Sequence, residues 1–208
     1  WINGTLATMG TKVMPGDTVM VHHTTITPCQ KEYLLAFHKP AGIVCTTSKI
    51  DKNNVIDYLN FPERIYPVGR LDKESTGLLL LTNNGQLMDD VLRGSNYHEK
   101  EYIVHVNKPI TDSVLQAMAQ GVPILDTITR PCKIRRMGKD CFYITLTQGL
   151  NRQIRRMCEY FDYRVTSLKR IRIMNIELGS LPVGKWRELT TSEIKTLKNL
   201  AQNKGEAE

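Results

Sequence analysis

The segment Gly69-Arg70-Leu71-Asp72-Lys73-Glu74-Ser75-Thr76-Gly77 is polar, bounded by glycines, and set directly before the apolar run at residues 78–81. Loops anchored on buried strands hold side chains precisely. Asp72 stands between Arg70 and Lys73, and cations near a carboxylate favour its ionised form, which suits a nucleophile better than an acid. Spacing alone also fits a surface loop with weak salt bridges. A second chemical signal is charge. Across residues 130–172 twelve cations stand against three acids, a local excess of nine that is larger than the +7 of the whole chain. Such a patch can displace counterions from a phosphate backbone, each neutralised phosphate adding about 0.9 to the salt slope on duplex; a solubilising face is the alternative.

Other chemistries find little support. The five cysteines are odd in number and never form a C-x-x-C pair, which speaks against a disulfide framework and a zinc site and for reduced thiols in the cytoplasm. The five histidines show no i, i+4 ligand pairing, and no metal is inferred. No apolar run is long enough to cross a bilayer, and the first residues carry no secretion signal. Lacking an initiator Met, the chain reads as starting inside a longer protein.

The elements that must position these residues follow from periodicity. Residues 1–28 read as short strands, one at Val19–Val21, separated by turns at Asn3-Gly4 and Pro15-Gly16-Asp17. Residues 32–37 predict a strand running into a Lys39-Pro40-Ala41-Gly42 turn, and residues 78–82 a strand buried on both faces. Leu87, Met88, Val91 and Leu92 form a helical stripe that Gly94 can close. Tyr102 begins an alternating strand. Residues 112–120 predict a helix capped by Thr111, and Phe142, Ile144 and Leu146 another half-buried strand. Asn151 is the expected N-cap of a helix with Ile154, Met157, Cys158 and Phe161 inside and Arg152, Arg155 and Arg156 outside. Residues 165–178 read as β, with Arg170 and Arg172 on the face opposite Ile171 and Ile173. A capping box, Thr190-Thr191-Ser192-Glu193, starts a last helix. Strands follow strands more often than they alternate with helices, giving an α+β fold.

Taken in order, Lys39-Pro40-Ala41-Gly42, Gly69-Arg70-Leu71-Asp72 with Ser75-Thr76-Gly77-Leu78-Leu79, His98-Glu99-Lys100-Glu101-Tyr102, and Gly149-Leu150-Asn151-Arg152-Gln153-Ile154-Arg155-Arg156-Met157 resemble the four motifs of the pseudouridine synthases of the RsuA and RluF type. The resemblance spans about residues 30–190 and is nearest to the RluF branch. It implies a pseudouridine synthase fold, a largely antiparallel mixed sheet flanked by helices with a catalytic cleft, and isomerisation of uridine in ribosomal RNA, most of all 23S RNA, without a cofactor.

The same resemblance assigns roles. Asp72 would attack the anomeric carbon or remove the neighbouring sugar proton, Tyr102 would stack on the uracil and take the ring proton, and Arg155 would pair with Asp72. Because a stacked base must be extruded, Arg70 would fill the gap it leaves. Lys39, Arg152, Arg170 and Arg172 would grip phosphates, with Lys73, Asn151, Gln153 and Arg156 completing the RNA-binding set. Residues 1–28 resemble the β-rich end of an RNA-binding domain like that of ribosomal protein S-four. Residues 30–200 would be the catalytic domain, with a subdomain break near 107–111, and 201–208 a polar tail. The expected partner is RNA, with the protein a monomer. A non-catalytic RNA-binding or assembly factor, and a synthase acting on transfer RNA or 16S RNA, remain open alternatives.

Overall fold

The computed structural model describes residues 1–27, 31–48, 50–92 and 97–202. They fall into two units, Trp1–Glu32 and Tyr33–Glu208. In the first, β1 (Val19–Val21) and β2 (Thr24–Ile26) form a hairpin. Its two-residue turn has His22 and His23 at φ 45 and 64, the left-handed geometry that matches strand twist. The expected turns at Asn3-Gly4 and Pro15-Gly16-Asp17 form, with Asp17 accepting from Met14 N and from the Asn3 amide. None of the described residues of this unit is buried, so it has no core of its own.

The second unit is built on one mixed sheet. Its strands are β3 (Leu34–Lys39), β4 (Tyr66–Val68), β5 (Thr76–Thr82), β6 (Lys100–Val106), β9 (Lys133–Arg136), β10 (Cys141–Leu146), β11 (Val165–Ile173), β12 (Ile176–Glu177) and β13 (Trp186–Glu188). A small separate hairpin pairs β7 (Pro123–Ile124) with β8 (Thr127–Ile128). The sheet order is β13-β3-β5-β11-β6-β10-β9, with β12 on β11 and β4 on β5. Only β5 and β11 run parallel; the other pairs are antiparallel. Among the described residues five helices accompany it: α1 (Val55–Leu59), α2 (Gly85–Leu92), α3 (Asp112–Gln120), α4 (Gln153–Tyr160) and α5 (Thr191–Gln202). This is the α+β class that the sequence implied.

Alternation along β3 and β5 divides the core. Leu34, Ala36, Leu78 and Leu80 pack with Leu87 and Val91 of α2 and Leu197 of α5. Leu35, Phe37, Leu79 and Leu81 pack on the other side with Val55, Ile65 and Leu71. The strand before the helix is therefore buried on both faces, as its unbroken apolar run predicts. A third cluster fastens α3 and α4 to the sheet through Met118, Ile154, Met157 and Cys158 against Val104, Phe142 and Ile144.

Four local expectations are corrected. The first core strand starts at Leu34, two residues later than its apolar pattern suggests. Arg152, not Asn151, occupies the N-cap position of α4 and makes no side-chain cap bond there, while the Asn151 carbonyl and side-chain oxygens accept from the Arg156 guanidinium. Arg155 turns inward at 9% exposure and does not share an outer face with Arg152 and Arg156. A register shift between Arg170 and Arg172 sets Arg170 opposite Tyr102 and Arg172 opposite Glu101, so these two arginines lie on different faces. The proposed Gly94 cap lies outside the described residues.

One cross-strand row links three of the motifs. Lys39 pairs with Gly77, Gly77 with Arg170, Arg170 with Tyr102, and Tyr102 with Ile144. Gly77 has φ +109, and a Cβ there would run into the backbone of Arg170. Gly77→Ala should therefore cost about 3 kcal/mol or more through combined strain and overpacking, read as a lowered midpoint in urea unfolding.

Candidate active site

The loop between β4 and β5 is held from below by the turn that follows β3. Lys39 ends β3 fully buried, and its ammonium donates to the carbonyls of Pro40 at 2.8 Å, Lys73 at 3.3 Å and Ser75 at 2.8 Å. Gly42 N donates to the same Lys73 carbonyl at 2.7 Å, a close approach made at a left-handed residue, φ 88. Leu71 plugs the core beside Cys45 and Ile65, and Ser75 N closes a turn on the Asp72 carbonyl at 3.0 Å. Leu71 and Ser75 thus anchor the loop on either side of Asp72, whose side chain stays 28% exposed.

Arg155 reaches that side chain from α4. Its Nε lies 3.4 Å from Asp72 Oδ2, Nη2 donates to Ser75 Oγ at 3.2 Å, and Nη1 lies 3.5 Å from the Val165 carbonyl. The guanidinium is thereby oriented by three separate acceptors, and only 11% of its side chain is exposed. Arg152, at the left-handed cap of α4, lies 4.0 Å from Asp72 and 3.4 Å from Glu74. The Glu74 carboxyl is held below its ordinary range by its own backbone N–H and by Arg152. Tyr102 is half-buried on β6 and packs against both the α4 cluster and the cluster containing Leu71, the residue preceding Asp72.

The RNA-binding set separates into two groups. Arg70, Lys73, Asn151 and Arg152 are exposed and Arg156 half-buried at the loop and the start of α4. Lys39, Gln153 and Arg170 are corrected: all three are buried and bonded internally, so none presents its head group to solvent. Gln153 accepts from Leu150 N at 3.0 Å. Arg170 donates to the Leu78 carbonyl at 2.7 Å. Arg172 is committed to Glu101 and Glu99, each at 2.9 Å, which places its charge in an ion-pair network. The sequence reading gave no role to Ser75 or Lys100. Ser75 is fully buried and takes the Arg155 contact; its place between Asp72 and Gly77 was the available signal.

Among the described residues no group of three or more His, Cys, Asp or Glu could hold a metal ion. The described cysteines are free, and burial pushes the Cys132 and Cys158 thiols up to about 11 and about 12.

A basic helix start, a loop carboxylate gripped by arginine and a sheet-borne tyrosine fit the class of protein that does carboxylate chemistry on an anionic polymer. Comparison with known proteins names that class. The family model for RNA pseudouridylate synthase matches residues 33–160. The chain is 49% identical over 205 residues to the dual-specificity RNA pseudouridine synthase RluF of Escherichia coli strain K12, covering 98% of this chain and 71% of that protein. It is 32% identical to the ribosomal large subunit pseudouridine synthase B of Bacillus subtilis strain 168, covering 97% and 86%. A crystal structure of a pseudouridylate synthase superposes with a TM-score of 0.76 at 28% identity, over 95% of this chain and 87% of that one. The chain belongs to the RNA pseudouridylate synthase family, and it is an isomerase that acts on RNA.

Lys100 lies two residues before Tyr102 on the same face of β6, and burial, with the nearby Arg170 charge, pushes its ammonium down to about 8 from 10.5. Below pH 8 both folded and unfolded chains carry this proton, and the folded state bears the cost of the buried charge. Between about 8 and 10.5 only the unfolded chain remains protonated, so stability rises with pH across that window. Lys100→Met should stabilise the protein by on the order of 1–3 kcal/mol at pH 7, with the gain fading as pH approaches 10.5 in chemical unfolding curves.

Proposed function

We propose that this enzyme isomerises a specific uridine of ribosomal RNA to pseudouridine, with 23S large-subunit RNA as substrate, and that Asp72 is its catalytic carboxylate. The observation that carries the assignment is the Asp72–Arg155 contact at 3.4 Å, made between the two most distinctive motifs. The large-subunit assignment is supported by likeness to the Bacillus subtilis ribosomal large subunit pseudouridine synthase B, while the dual specificity in the name of RluF makes a second RNA class, with transfer RNA as our candidate, an outcome to test.

Isomerisation cuts the bond from ring nitrogen to sugar, turns the uracil, and rejoins it through a ring carbon. Asp72 attacks the anomeric carbon or removes the adjacent sugar proton, leaving the uracil anion free to rotate. Tyr102 stacks on the base and takes the proton released from the ring carbon. Arg155 orients Asp72 through charge and hydrogen bonding. Arg70, exposed at the loop, occupies the gap left by the extruded base, and Lys73, Arg152 and Arg156 contact phosphates. Residues 1–28 are read as the β-rich end of an S-four-like RNA-binding domain, and the protein as a cytoplasmic monomer.

Asp72→Asn is nearly isosteric and keeps hydrogen-bonding capacity but not charge. It should bind ribosomal RNA with wild-type affinity and form no pseudouridine in chemical mapping of RNA from cells carrying only that allele. A fully modified site in those cells would end the assignment.

A further inference from the structure

Arg170 is 3% exposed, yet no ion pair to it is found among the described residues. Its guanidinium bridges two carbonyls flanking the Asp72 loop: Nε donates to Leu78 O at 2.7 Å and Nη1 to Arg70 O at 3.4 Å. The remaining Nη2 is buried without a hydrogen-bond partner. Its backbone sits against Gly77 on one side and Tyr102 on the other, the glycine allowing a contact that any side chain would block.

This arrangement is costly for a structural part. A buried guanidinium without a carboxylate carries a desolvation cost that no opposite charge offsets. An orphaned buried N–H adds its own desolvation cost. Arg170 also lowers the ammonium groups of Lys39 and Lys100, adding to the effect of their burial. What the arginine uniquely supplies is a planar fork that fixes two carbonyls at once. One of them belongs to Arg70, whose side chain is exposed and whose chain position is two residues before Asp72.

We propose that Arg170 is a positioning residue for the isomerisation: by bridging Arg70 O and Leu78 O it fixes the backbone on which both the Arg70 side chain and the Asp72 carboxylate are aimed. It rests on the reading of Asp72 as the catalytic carboxylate. Arg155 restrains the carboxylate itself, and Arg170 restrains the peptide behind it. The two act on different degrees of freedom, so neither substitutes for the other.

The test is single-turnover pseudouridine formation on unmodified ribosomal RNA, with RNA affinity and thermal unfolding measured on the same preparations. Arg170→Met should slow the reaction about 100-fold, the penalty expected of a small misplacement of reacting groups, with Kd unchanged and the variant still folded at the assay temperature. Arg170→Lys, which keeps the charge but cannot bridge both carbonyls, should show the same loss. A wild-type rate in either folded variant overturns the proposal, as does a rate loss fully matched by weakened binding. If the methionine variant does not fold, the lysine variant decides, and a lysine variant that also unfolds overturns the proposal by making the arginine a requirement of the fold. Asp72→Asn run in parallel separates the two readings. Activity in it removes the catalytic assignment, whereas an inactive Asp72→Asn beside a fully active Arg170→Met removes only the role of Arg170.

Discussion

A carboxylate that is to act on a substrate has to be reachable and still be held in place, and Asp72, proposed above for that role, is held by a partner more buried than itself. Asp72 keeps 28% of its side chain exposed while Arg155 keeps 11%. Arg155 in turn is fixed by Ser75 Oγ and the Val165 carbonyl, so the contact joins the loop before β5 to the helix after β10. That guanidinium can be buried because α4 is fastened to the sheet through Ile154, Met157 and Cys158. Loss of those apolar contacts would release the charged pair to water, where an exposed ion pair is worth little.

Backbone hydrogen bonding explains why so many cations surround this loop. Peptide groups that leave a sheet near the core must find partners other than a neighbouring strand. Lys39, Arg155 and Arg170 supply donors to the carbonyls of Pro40, Lys73, Ser75, Val165, Leu78 and Arg70. Lys39 and Arg170 converge on one loop because Lys39, Gly77, Arg170 and Tyr102 occupy a single row across β3, β5, β11 and β6, and Arg155 comes to it from α4. Three of the four sequence motifs are thus neighbours in space through the sheet register, and the fourth reaches them from α4 through Arg155.

The basic stretch at residues 130–172 changes meaning once folded. Its excess of nine charges counts only acids inside that window. In the structure, acids from elsewhere close on it: Asp112 on Arg136, Glu99 on Lys133 and Arg172, Glu101 on Arg172, Asp72 on Arg155, and Glu74 on Arg152. The cations left to meet phosphate are therefore fewer than the composition suggests, and some of the best placed lie outside the stretch, at Arg70 and Lys73. Charge density along a chain measures attraction to a polyanion only after tertiary pairing has been subtracted.

Local chemistry was legible from the residues alone. The apolar run after Gly77 fixed a strand buried on both sides, and the capping box at Thr190 and Glu193 formed as its spacing requires, with reciprocal bonds at 2.8 and 3.2 Å. Those features depend on neighbours within a few residues, which sequence displays directly. What tertiary structure decided was which cations work inside and which outside. Lys39, Arg155 and Arg170 looked like surface groups because carbonyls and a carboxylate that accept their hydrogen bonds lie on other elements of the fold. The bulge that parts Arg170 from Arg172 depends on the partner strand β6, and only the folded sheet contains it. A side chain's type is written in the sequence, but whether its charge is spent on the protein or offered to a ligand depends on partners brought together by the fold.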